Sequence, residues 1–138
     1  MKSVGFAFNE IFLRHSPPRW HPDQPERLEA IIAELKRSGL WTQLSHIAPR
    51  KATDNDILRV HTPSYLQKIM SFGIGQIEDE TWLSEQSVEA AFFAAGAALE
   101  AIDQMQHHAF HRAFCAIRPP GHHAEKERTM GFCIFNNA

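Results

Sequence analysis

The sequence predicts an α/β domain built on a parallel sheet, and three segments carry that prediction. Ala113 to Ile117 is a continuous apolar run with no polar alternation, the pattern of a strand covered on both faces. Val4 to Phe8 is a second short apolar run and suits a first buried strand. Between them lies a long helix opening at Ser84 or Ser87. It keeps Val88, Phe92, Ala95, Leu99 and Ile102 on one face and the small Ala91, Ala94, Ala98 and Ala101 on another. A helix apolar on most sides is expected to be buried.

The other elements follow in chain order. His15 to Pro25 contains four prolines and reads as an exposed, irregular loop. Asp23, followed three residues later by Glu26, reads as a capping-box-like helix start. Leu28, Ile31, Ile32 and Leu35 then form one apolar face, and Gly39 suits the stop. Leu44 to Ala48 reads as a strand. Thr53 caps a short helix to about Val60, and Thr62-Pro63 opens another that is expected to bury Leu66, Ile69 and Met70. No internal repeat, low-complexity segment or interdomain linker interrupts the chain.

Composition narrows the function classes. The 138 residues, 43% of them apolar, are enough for one modest domain and too few for two. Acids and bases are interspersed with a net charge of −2, so no basic footprint for nucleic acid or an anionic membrane is present. Residues 1–9 lack a long apolar stretch and a cleavage site, and no window approaches a membrane span, so a cytoplasmic location is expected. The two cysteines, Cys115 and Cys133, form no disulfide framework or CxxC pattern and read as reduced thiols.

The chemistry concentrates near the C-terminus, directly after the Ala113 to Ile117 run. There stands Arg118-Pro119-Pro120-Gly121-His122-His123-Ala124, then Met130-Gly131-Phe132-Cys133-Ile134-Phe135-Asn136-Asn137. In open α/β sheets the ligand crevice lies beyond the carboxyl ends of the strands, which is where this loop falls. Two prolines and a glycine stiffen it, so His122 and His123 can be presented in a defined geometry. Imidazoles titrate near neutrality, and a pair can divide general base and general acid duties. By itself a His-His pair is more often a solvated surface feature; the flanking motif favours a catalytic one. Ile134 and Phe135 read as core. His107, His108 and His111 could hold a transition metal on a helix, but they fall where the helix ends and read as solvated. A Cys133 nucleophile beside His123 would need a low-pKa thiolate. His15 and His21 read as loop residues lining an entrance.

These two motifs resemble the tandem-histidine loop of the histone deacetylase family of zinc amidohydrolases, in its bacterial class II-like or acetylpolyamine amidohydrolase-like forms. The resemblance covers essentially the whole chain. His21-Pro22-Asp23 with Pro25-Glu26-Arg27-Leu28 looks like the family's entrance loop and first helix, Val60-His61 with Tyr65 like its next element, and Glu78-Asp79-Glu80-Thr81-Trp82 like an acidic rim. It implies an arginase–deacetylase three-layer αβα fold, with residues 1–138 as a single partial domain at its N-terminal side. It also implies that His122 and His123 contact a zinc-bound water and the scissile amide without ligating zinc. Gly131 would offer its carbonyl to the substrate amide, and Phe132 would form a wall of the acyl-lysine tunnel. Glu80 would stand where the family usually grasps the substrate backbone with an aspartate, one methylene shorter.

The implied parent function is zinc-dependent hydrolysis of acetyl-lysine or acetylpolyamine amides. The family's Asp-x-His and second aspartate ligands, its transition-state tyrosine and the carboxylates orienting the histidines would lie beyond residue 138. No metal ligand is therefore assigned here, and no catalytic zinc is expected in this chain alone. The rival reading is a noncatalytic truncated relative acting as an interaction or oligomerising module. Truncation would leave a sheet edge and apolar surface uncovered, so a homo-oligomer, most simply a two-fold dimer, is expected. Its motif loop is then expected to be displaced for want of bracing.

Overall fold

In the computed structural model, which describes residues 4–78 and 80–138, β1 (Val4–Ala7) is the middle strand of a parallel sheet. It pairs with β2 (Leu44–Ile47) on one side and β5 (Ala113–Cys115) on the other. The registers Val4↔Leu44 and Phe6↔Phe114 place Phe6 and Phe114 side by side, their rings stacked 5.9 Å apart. Helix α1 (Glu26–Arg37) lies on that face, with Ile31 and Leu35 beside the two rings. Helix α4 (Ser87–Gln106) lies on the opposite face, where the Cys115 thiol points to the Ala97 carbonyl. The layering is thus helix, parallel sheet, helix.

Two cores result. One fills the space around the sheet with Phe6, Ala7, Phe12, Leu28, Ile47, Phe110 and alanines of α4. The other joins Phe92 and Ala95 of α4 to α2 (Asp54–Ile57), to Tyr65, Leu66 and Ile69 of α3 (Pro63–Phe72), and to Ile134 and Phe135. The small face of α4 permits this. Residues 50–52 run so close to it that a Cβ added to Gly96 would lie 1.8 Å from the Arg50 carbonyl oxygen, and the Ala52 N–H donates to Phe92 O at 3.1 Å.

The local end signals act as expected at several places. Thr53 and Asp56 form a reciprocal capping box, Thr62 caps α3 with Pro63 in its first turn, and Gly39 follows α1 at φ +75°. Other expectations need correcting. Helix α1 has no side-chain cap, because Asp23 turns inward to an ion pair. The His15 to Pro25 loop is not exposed throughout, since His15 and Asp23 are buried. Strand β5 stops at Cys115, and Phe114 is 50% exposed, so the strand is not covered on both faces. Met70 and Ile102 also face solvent. The helix after Thr53 ends at Ile57, not near Val60. The acidic rim segment folds as an antiparallel hairpin of β3 (Gly75–Glu78) and β4 (Thr81–Leu83), which sequence reading missed; Asp79 lies outside the described residues. No helix among the described residues is long and apolar enough to cross a membrane.

Candidate active site

Strand β5 delivers the chain into the histidine loop at the carboxyl end of the sheet. The loop's first residue is also its anchor. Arg118 is fully buried, and its guanidinium donates from Nε to Asp23 Oδ1 at 2.9 Å, from Nη1 to the Phe12 and His15 carbonyls at 2.8 and 2.7 Å, and from Nη2 to the Asp23 carbonyl at 2.8 Å. A buried charge is tolerated when an anion and several carbonyls receive its donors in this way. The Arg118–Pro119 peptide is cis. Asp23 Oδ1 also accepts from Arg27 Nη1 at 3.1 Å, so one carboxylate joins the entrance loop, α1 and the histidine loop.

His122 and His123 follow with ring centroids 4.2 Å apart and planes at 51°. They share a cavity of about 570 Å³ with Asp23, Arg27, Glu80, Gly131 and Phe132. All five residues singled out from sequence, His122, His123, Gly131, Phe132 and Glu80, therefore meet around one space. Gly131 is required there: it sits at φ +52°, and a Cβ would approach the His123 ring to 2.9 Å. Phe132 takes φ +71°, uncommon for a bulky residue, and its ring meets His21 edge-on at 4.3 Å. Glu80 is exposed at the rim. Beyond Phe132 a second groove of about 370 Å³ shares Pro22, Glu80 and Phe132 and adds Trp20, His21 and Trp82.

The loop has bracing contacts from within this chain. Asn136 Nδ2 donates to the Ala124 carbonyl at 3.0 Å, and the Asn136 N–H donates to His61 Nε2 at 2.9 Å. His61 Nδ1 contacts the Lys126 carbonyl at 3.1 Å. An imidazole that accepts at Nε2 and donates at Nδ1 is neutral, in keeping with burial, which lowers its pKa. Tyr65 Oη donates to the Ile134 carbonyl at 2.6 Å, and burial pushes that phenol's pKa up. Glu78 accepts from both N–H and Oγ1 of Thr129 at 2.9 Å. Its burial raises the carboxyl pKa, but bonds from Lys68 and Thr129 outweigh that and hold it below the usual value.

Cys133 is buried. Its thiol accepts the His123 N–H at 3.4 Å and donates to the Gly131 carbonyl at the same distance. Burial pushes its pKa up, so it is a protonated structural group and the thiolate-nucleophile reading falls away. His15 is also not the entrance-lining residue expected. It lies buried between Ser87 Oγ, 2.7 Å from Nδ1, and Asp23 Oδ2, 3.6 Å from Nε2. Burial, and next the Arg118 guanidinium, lower its pKa to about 4. His107, His108 and His111 are not on a common helical face, because α4 ends at Gln106. Among the described residues no group of three His, Cys, Asp or Glu converges to hold a metal ion.

Sequence reading gave Arg118 no role and took Asp23 for a helix cap. The available signal was one arginine standing between an apolar run and two prolines, a place where an exposed charge has no evident reason to be.

Comparison with known proteins agrees with this geometry. A family profile described as histone deacetylase domain matches residues 21–138. Histone deacetylase 5 of Arabidopsis thaliana is 30% identical over 99% of this chain and 22% of its own length. A probable deacetylase of Archaeoglobus fulgidus is 34% identical over 97% of this chain and 38% of its own. The human polyamine deacetylase HDAC10 is 30% identical over 87% and 19%. The solved HDA15 HD domain superposes with a TM-score of 0.91 at 30% identity, over 99% of this chain and 41% of that one. The chain thus spans well under half the length of these relatives.

Proposed function

The chain belongs to the histone deacetylase family, and on that premise we propose that it forms the N-terminal portion of a deacetylase acting on acetyl-lysine or acetylpolyamine amides. The observation that carries the reading is the single cavity in which His122, His123, Gly131 and Phe132 meet behind the buried Arg118 anchor. In that cavity one imidazole takes a proton from the attacking water and the other returns one to the leaving amine. The Gly131 carbonyl accepts the substrate amide N–H, Phe132 flanks the acyl chain, and Glu80 receives the substrate backbone at the rim.

Zinc is the family's Lewis acid, and the donors described here do not make a site for it: two adjacent imidazoles are no ligand set. Family membership, not that absence, is the ground for proposing that the ligands lie outside residues 1–138. The isolated 138-residue chain is expected to bind no stoichiometric zinc and to hydrolyse no acetyl-lysine or acetylputrescine reporter. Metal analysis and an activity assay on rigorously purified protein test this, and zinc-dependent turnover would overturn it.

A second reading, that the chain serves as a noncatalytic self-assembling module, rests on β5. This strand forms an edge of the described sheet, with Phe114 half exposed over an apolar cleft lined by Phe6, Ile31, Leu35 and Leu44. Such an edge invites pairing with a second copy. Light scattering at micromolar concentration should give a homo-oligomer, and a stable monomer would remove the reading. We further place the protein in the cytoplasm, which fractionation of the source cells can test.

A further inference from the structure

We propose that Asp23 is a positioning residue that holds two walls of the reacting pocket in register through two separate contacts. The first runs through its side chain. Oδ1 takes the Nε–H of Arg118 at 2.9 Å, and Arg118 opens the histidine loop four residues before His122. The second runs through its main chain. The Asp23 N–H donates to His21 Nδ1 at 3.1 Å, and the oriented His21 ring buttresses Phe132 at 4.3 Å. The histidine wall and the aromatic wall therefore refer to one residue, itself 4% exposed.

The inference rests on the reading of His122, His123 and Phe132 as pocket walls, yet it concerns their placement and can fail while that reading stands. Phe132 needs such a buttress because its φ of +71° is held by surroundings. Arg118 keeps its three main-chain acceptors if the carboxylate is neutralised, so Asp23→Asn should remain folded while its grip on Nε loosens. Asp23→Glu keeps the anion.

The experiment is carbon-edited NMR of the imidazoles of His21, His122 and His123 and of the Phe132 ring in the 138-residue chain. Circular dichroism and a thermal melt run alongside. Asp23→Asn should retain the helical spectrum and a cooperative melt while the His122 and His123 signals move; those of His21 and Phe132 should stay, because the main-chain N–H that orients His21 is kept, and Asp23→Glu should restore the histidine loop. Unmoved His122 and His123 signals in folded Asp23→Asn would overturn the proposal, as would a shift that Asp23→Glu fails to reverse. Should Asp23→Asn not fold, the unsubstituted protein decides: the Arg118 Nε–H must be protected from solvent exchange and show a nuclear Overhauser contact to the Asp23 segment, and rapid exchange would refute the anchor.

Discussion

Lowering the pH should destabilise this protein through His15, by an amount that follows from where that imidazole lies. In the folded state its pKa is lowered from 6.5 to about 4, first by burial and then by the Arg118 guanidinium. The unfolded chain therefore binds a proton that the folded one refuses throughout that interval. The neutral-state advantage is complete above pH 6.5 and is lost as pH falls toward 4, at up to about 1.4 kcal/mol per pH unit. The full loss is about 3 kcal/mol, the free-energy equivalent of the displacement. Against the typical 5–15 kcal/mol stability of a domain, that is a substantial fraction. His61, also held neutral by burial, adds to the effect in the same direction. Urea unfolding of the chain and of His15→Gln, followed by circular dichroism from pH 7 to 4.5, measures the slope directly. The variant should start lower, having lost the Ser87 partner, but its stability should fall less steeply with acid. Equal slopes in the two proteins, or a flat profile in the parent, would refute the assignment of the buried proton-refusing site to His15.

Gly96→Ala should destabilise despite the better helix propensity of alanine. Separating the new Cβ from Arg50 O strains the packed segment and breaks the Ala52 N–H bond to Phe92 O, for a net cost of about 2–4 kcal/mol that a thermal melt will show. Tyr65→Phe leaves the Ile134 carbonyl without its 2.6 Å partner beneath the histidine loop and should cost about 1–3 kcal/mol in urea unfolding. In a longer deacetylase that contains this span, His122→Ala and His123→Ala should each lower kcat by about 10²–10⁴-fold, while zinc content by atomic absorption stays near that of the parent. Loss of metal in either variant would show that the histidines ligate.

Much of the site was legible because its chemistry is contiguous. The run from Arg118 to Asn137 names its histidines, its glycine and its aromatic wall within 20 residues, and local end signals such as Thr53, Thr62-Pro63 and Gly39 act through neighbours a few bonds away. The parallel sheet was likewise visible in uninterrupted apolar runs and the long alanine-rich helix in its periodicity, while the strand order was not. What stayed hidden depends on partners distant in sequence. Asp23 satisfies the rule for a helix cap, yet pairs with an arginine 95 residues away, because a buried guanidinium needs an anion more than a solvated helix end needs a cap. Gly96 looks like a weak point in a helix until residues 50–52 cross it. Phe114 and Met70 fit buried patterns and are exposed, since periodicity states which residues share a face and not whether anything covers it. Sequence alone determined which residues gather at the candidate site; tertiary structure decided which buried charges hold them in place, because ion pairs and close backbone contacts form across the fold and leave no periodic trace along the chain.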